Sequence, residues 1–164
     1  MQQGGSGPQT PAVERSPASS GGGPFPRLLL ATDLRVTHEP LSPSVWEVVR
    51  FLGSEVTLCH VVLRPTASPG NDSDGSPANP EETAIVQTLR ASAVTALGDR
   101  GKGVSIKILH GDPGQRVCEY ADYLRVDLIV LGPRAKASLS KSLRGSVSKY
   151  VVGNSRRHVL VLGG

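Results

Sequence analysis

Apolar positions in residues 27–164 fall into two kinds of segment that alternate along the chain. Short, nearly continuous apolar runs lie at residues 28–32 (LLLAT), 55–63 (EVTLCHVVL), 104–109 (VSIKIL), 127–131 (DLIVL) and 158–162 (HVLVL). Runs of this length, bounded by Gly, Pro, Asp or Asn, predict strands, and the most continuous suit strands buried on both faces. Between them, apolar residues recur at every third or fourth position. This predicts helices over 44–52 (Val45, Val48, Val49, Leu52), 81–97 (Ile85, Leu89, Ala93, Ala96, Leu97), 115–124 (Val117, Cys118, Ala121, Leu124) and 146–152 (Val147, Tyr150, Val151). Pro40 and Pro43 lead into the first helix and Gly53 ends it. Two glutamates in the first turn of the second suit its dipole. Strands alternating with helices predict a single α/β domain, a doubly wound parallel sheet of five strands.

The remaining segments read as connections. Residues 1–26 are rich in Gly, Ser, Pro and Gln and cannot bury enough apolar surface to offset chain entropy, so a disordered tail is expected before a domain at 27–164. Its Thr10-Pro11 and Arg15-Ser16-Pro17 pairs are of a kind that arises freely in such composition. Residues 64–80 (RPTASPGNDSDGSPANP) predict a long mobile loop. Asp72, Asp74 and Gly75 echo a calcium loop, but no Glu follows in register. Residues 98–103 (GDRGKG) predict a surface turn, since the full phosphate-loop pattern with its Lys-(Ser/Thr) is missing. Gly111-Asp112-Pro113-Gly114 turns the chain into the third helix.

Composition narrows the function classes. The net charge of +4 gives only a weak general preference for anions, and with aromatics at 4% there are few stacking platforms for nucleic acid. No apolar run approaches the roughly 20 residues of a membrane span. The two cysteines, Cys59 and Cys118, stand far apart among apolar neighbours without metal-ligand spacing, so buried thiols are expected. With no basic start or apolar h-region at the N-terminus, a cytoplasmic protein is expected, with neither nucleic acid nor membrane as partner. His60 reads as a packed strand histidine, because no nucleophile is paired with it by spacing.

Candidate chemistry concentrates at 126–154 (VDLIVLGPRAKASLSKSLRGSVSKYVVGN). A buried-type strand ends at Gly132. A segment follows that carries Arg134, Lys136, Lys141 and Arg144 with no acidic residue, and a helix begins at Gly145-Ser146. A helix N-terminus presents unpaired N–H groups and the positive end of its dipole, which makes an anion site. Asp33 directly follows the first strand, at the end of a sheet where ligands bind in such folds. Alone it reads as a turn cap; beside the Gly-rich stretch it reads as an acceptor for ribose hydroxyls.

The spacing Gly132-x2-Ala135-x9-Gly145-Ser146 resembles the nucleotide signature of the universal stress protein family, Gly-x2-Gly-x9-Gly-(Ser/Thr). Asp33, the VTLCHVV strand ending at Val62, His110-Gly111-Asp112-Pro113 and the terminal HVLVL fit the same pattern. The resemblance implies an adenine-nucleotide alpha-hydrolase-like fold with strand order 3-2-1-4-5 and a homodimer formed through the last strand. It places ATP, or AMP or ADP, against Ala31, Thr32 and Asp33; against the main chain of Val61 and Val62; and against Gly132, Arg134, Ala135, Arg144, Gly145, Ser146 and Val147. Mg²⁺ would enter only through the phosphates.

The sequence departs from the family pattern at three places. Ala135 replaces the second Gly, which costs about 1–2 kcal/mol if that position needs positive φ. Pro133 removes a donor, and Arg35 stands where a Ser is frequent. Each hydrogen bond to a charged phosphate is worth roughly 1.5–3 kcal/mol, so these losses weaken such a site without abolishing it. No Walker-type Lys-(Ser/Thr), carboxylate pair or nucleophile with its base is present, so no catalytic residue is assigned and any ATP hydrolysis is expected to be slow and incidental. The sequence therefore points first to a nucleotide-binding regulatory protein and, as the alternative, to a nucleotide-free dimeric interaction module. Adenylate transfer and dinucleotide oxidoreduction both lack their first-loop signatures.

Overall fold

A computed structural model describes residues 24–32, 41–52, 55–63, 80–132 and 146–162. The expected tail up to residue 23 and the expected loop at 64–79 lie outside these residues. In chain order the elements are β1 (Arg27–Thr32), α1 (Pro43–Leu52), β2 (Glu55–Val62), α2 (Pro80–Leu97), α3 (Asp99–Lys102), β3 (Ser105–His110), α4 (Pro113–Leu124), β4 (Leu128–Leu131), α5 (Ser146–Asn154) and β5 (His158–Val161). The five strands form one sheet in the order β3-β2-β1-β4-β5, with every neighbouring pair parallel. This is the expected fold and strand order.

The apolar runs at the centre of the sheet explain the layering. Leu28 and Leu30 of β1, Leu58 of β2 and Val130 of β4 face one way, and pack with Val45, Trp46 and Val49 of α1 and Leu89 and Ala93 of α2. Leu29, Cys59, Ile129 and Leu131 face the other way, against Val117 and Ala121 of α4 and Val151 of α5. Burying each large aliphatic side chain is worth about 1.5–3 kcal/mol, so two faces of the same strands drive two helical layers. Phe25, in the segment read as tail, packs against the first of these clusters and meets His158 edge-on, with ring centroids 5.6 Å apart. Cys59 is free and wholly buried, and burial pushes its thiol up to about 12. Cys118 is also free but only partly buried. Among the described residues no helix is long and apolar enough to cross a membrane.

Three local expectations need correction. In α1 the buried face includes Trp46, while Val48 sits at the edge of the core. The indole can go inside because its N–H donates to Ser92 Oγ of α2, 3.0 Å away, which satisfies its one donor. The surface turn expected at 98–103 contains the short helix α3. Gly98, at φ 60°, starts it, and Gly101 lies buried against α2, where a Cβ would stand 2.2 Å from the Ala93 carbonyl oxygen. Arg90 closes this junction by donating to the carbonyls of Lys102 (3.1 Å), Gly101 (3.4 Å) and Val104. Finally, α4 begins at Pro113 rather than Gln115. Asp112 is its N-cap, accepting from Gln115 N–H at 2.9 Å, and Pro113 takes the first helical position, where no N–H is needed.

Because the Gly101 contact is to backbone, Gly101→Ala must push α3 away from α2. The variant is expected to lose about 1–3 kcal/mol of stability. Urea unfolding followed by the fluorescence of Trp46, the protein's one tryptophan, measures this directly; an unchanged midpoint would refute the close contact.

Candidate functional site

Parallel strands place all their carboxyl ends along one edge of the sheet. From β1 the chain winds outward to β2 and β3, with α1 and α2 over one face. It then crosses to β4 and β5, with α4 and α5 over the other face. The direction of winding reverses between β1 and β4, and a crevice opens there because successive connections diverge. A cleft of about 340 Å³ occupies this position, at the lower end of the roughly 300–1,000 Å³ typical of small-molecule sites.

Three groups of residues wall the cleft. Ala31, Thr32, Val61, Val62, Leu131 and Gly132 come from the ends of the central strands. Pro113 and Val117 of α4 and Val147 and Ser148 of α5 form one side, and His60, Leu63, Glu81 and Ile85 complete the other. Of the residues singled out from the sequence, Ala31, Thr32, Val61, Val62, Gly132 and Val147 thus come together around one space. Ser146 is the first residue of α5, next in the chain to Val147. Asp33, Arg134, Ala135, Arg144 and Gly145 lie outside the described residues, as do Arg35 and Pro133.

The strand ends differ in what their main chain offers. The Val62 carbonyl accepts from Gly111 N–H at 3.1 Å, on the β3 side. Alternation along the strand therefore turns the Val61 carbonyl toward β1, beyond Thr32, the last residue of that strand. Gly132 N–H donates to the Ala31 carbonyl at 3.2 Å, so the chain is still tied to β1 as it leaves β4. A Cβ on Gly132 would meet that oxygen at 3.6 Å, an ordinary contact, so packing of the described residues does not by itself demand glycine here.

Helices α4 and α5 both begin beside the cleft, with Pro113, Val147 and Ser148 among its lining residues. At α4, the Asp112 carboxylate accepts from Gln115 N–H, and Pro113 contributes no donor. At α5, the first turn has no acidic residue, and its dipole leaves it suited to an anion. Among the described residues no group of three or more His, Cys, Asp or Glu is placed to hold a metal ion.

Three polar residues of the cleft, His60, Glu81 and Ser148, were not predicted from the sequence as site residues. His60 is buried as a strand residue, as expected, yet it also lines the cleft; its Nδ1 lies 3.1 Å from the Thr32 carbonyl oxygen. Glu81 stands on the rim in the first turn of α2. Its position is set by the next residue: Glu82 Oε1 lies 2.9 Å from His110 Nε2, which pins the start of α2 to the end of β3. No local signal in the sequence marks Glu81, because its place depends on how α2 docks. Thr32 itself carries a buried hydroxyl with no hydrogen-bond partner among the described residues.

A doubly wound, Rossmann-like α/β domain with a cleft at its switch point is the class of protein these features define. The chain belongs to the universal stress protein family, whose profile matches residues 24–163. It is 36% identical over 62 residues to a universal stress protein of Methanocaldococcus jannaschii, a stretch covering 38% of this chain and 36% of that protein. It is 35% identical over 72 residues to the stress response protein NhaX of Bacillus subtilis, covering 44% of this chain and 43% of that one. The matched stretches thus span less than half the length of these curated relatives. Among solved structures, universal stress protein UspA from Lactobacillus plantarum is similar at a TM-score of 0.57 and 18% identity, covering 84% of this chain and 97% of that one. An Arabidopsis thaliana universal stress protein family protein with AMP bound is similar at 0.53 and 18% identity, covering 84% and 91%. A universal stress protein in complex with cAMP is similar at 0.51 and 18% identity, covering 85% and 97%. These likenesses establish the shared fold.

A buried hydroxyl without a partner costs about 1–3 kcal/mol. Thr32→Val replaces it with a methyl of the same shape, so the ligand-free variant is expected to be more stable than the wild type by about 1 kcal/mol. Chemical denaturation of nucleotide-stripped protein tests this; a destabilised variant would mean that the hydroxyl is already satisfied.

Proposed function

We propose that the protein is an adenine-nucleotide-binding regulatory protein of the universal stress class. The observation that carries this reading is the switch-point cleft, with Ala31, Thr32, Val61, Val62, Gly132 and Val147 around it and the start of α5, whose first turn has no acidic residue, at its side. Family membership adds support, as do fold neighbours solved with AMP and with cAMP. In this reading the base lies against the ends of β1 and β2, and Asp33 accepts from the ribose. The phosphates of ATP, or of AMP or ADP, meet Gly132, Arg134, Ala135, Arg144, Gly145, Ser146 and Val147, with Mg²⁺ bound only through them. The ligand acts by stabilising one conformation or assembly of a cytoplasmic protein. Ala135 and Pro133 reduce the affinity relative to a domain with the full signature.

Protein purified without added nucleotide, then denatured, releases any small molecule it carries for chromatographic identification. The emptied protein is titrated with ATP, AMP and GTP. Asp33→Ala is expected to weaken adenine-nucleotide binding by about ten- to a hundredfold, the value of hydrogen bonds to a charged acceptor. Gly145→Asp is expected to weaken it by repelling the phosphates. Wild type that ignores all three nucleotides, or that binds them as well as both variants do, would refute the proposal.

A second reading, a nucleotide-free dimeric interaction module, has its own observation. β5 is the last strand in the sheet order, and Val161 on it is 46% exposed. Such an apolar edge is a natural pairing surface, and a homodimer through β5 is compatible with either reading. Val161→Lys is expected to shift the protein toward monomer in light scattering; a wild type that is already monomeric at micromolar concentration would remove the β5 dimer.

A further inference from the structure

We propose that His110 is a positioning residue of the cleft: it latches the first half of α2 to the end of β3, and so holds closed a wall that would otherwise open. Glu82 Oε1 lies 2.9 Å from His110 Nε2, and both side chains are part-buried. A carboxylate only accepts, so Nε2 is the donor. The packing of α2 is uneven along its length. Its buried side chains, Leu89, Ser92 and Ala93, all lie in the second half. In the first half, residues 80–88 are exposed or half-buried, and Ile85 reaches only the edge of the core. Yet this is the half that walls the cleft, through Glu81 and Ile85. A helix end with few buried contacts opens locally at small cost while the rest of the domain stays folded.

His110 also ties this wall to the opposite one. Its side chain meets α2 on one face of the sheet, and its main chain runs through Gly111 and Asp112 into Pro113, where the α4 wall begins. Gly111 turns the chain there at φ 123°, and its N–H donates to the Val62 carbonyl at 3.1 Å. The α2 wall, the α4 wall and the end of β2 are thus registered on one residue. A ligand that touches both walls binds the latched state, and its affinity falls as the latched fraction falls. Binding of AMP to that state rests on the nucleotide reading above; the latch does not.

Hydrogen exchange of the full chain, read separately over residues 84–88 and 90–97, tests the latch in wild type, His110→Ala, Glu82→Ala and His110→Gln. The amides of 84–88 bond to carbonyls of the first turns of α2, so they report its opening. His110→Ala and Glu82→Ala are expected to speed exchange at 84–88 about tenfold, the effect of one hydrogen bond to a charged group, and to leave 90–97 unchanged. His110→Gln, whose amide can still donate to Glu82, is expected to keep most of the protection. Exchange at 84–88 that neither alanine variant changes, or that rises equally at 90–97, overturns the latch. In wild type, AMP at about a hundred times its dissociation constant is expected to slow exchange at 84–88 by up to a hundredfold. AMP that binds without slowing it overturns the role of His110 in positioning the ligand, while the nucleotide reading stands. Wild type that binds no AMP refutes the nucleotide reading, and exchange of the unliganded variants still decides the latch.

Discussion

The constraint on which the rest of this fold depends is the burial of two adjacent strands on both faces. β1 and β4 lie side by side at the centre of the sheet, and Leu28, Leu29, Leu30, Ile129 and Val130 are almost wholly removed from water. Their backbone groups can pair only within the sheet, and their side chains need apolar cover above and below. Parallel neighbours require crossovers, and crossovers supply that cover as helices. Once the helices occupy both faces, the reversal between β1 and β4 follows, and with it a crevice at the carboxyl edge. The cleft is thus a consequence of how the core is buried.

Charge then distinguishes the two sides of that crevice. Helices α4 and α5 both begin beside it, but the start of α4 is closed by its own Asp112 and Pro113. The first turn of α5 has no acidic residue, and in the sequence the segment that precedes it is the cationic one with Arg134, Lys136, Lys141 and Arg144. On the opposite wall stand Glu81 and His60. Ile85, Val117 and Leu131 add apolar lining to the cleft.

Neighbouring packing details show how the helical layers are kept in place. Trp46 is tied to Ser92 across α1 and α2, and Gly101 lets α3 touch the backbone of α2. On the other face, Gly114 of α4 lies so close to Tyr150 of α5 that a Cβ there would approach its ring carbons to 2.8 Å. These contacts set where α2 and α5 begin relative to the strand ends. They thereby position Glu81 and Val147, although none of them is part of the cleft.

The sequence by itself determined the element types, their order and the doubly wound class, because apolar periodicity and Gly/Pro punctuation are local signals. The resemblance of its motifs to the universal stress family added Ala31, Thr32, Val61, Val62, Gly132 and Val147, which line one cleft. Helix boundaries shifted where capping chemistry decided them, as at Asp112-Pro113. The helical turn at Asp99–Lys102 was hidden because Gly101 is there for contact with Ala93, not for turn chemistry. Trp46 was missed because its burial depends on an acceptor forty-six positions away in the chain, Ser92. The same reason holds for the cleft. That His60 is at once a core residue and a cleft residue, and that Glu81 reaches the rim, were decided by tertiary structure, because both depend on where α2 docks across the ends of β2 and β3.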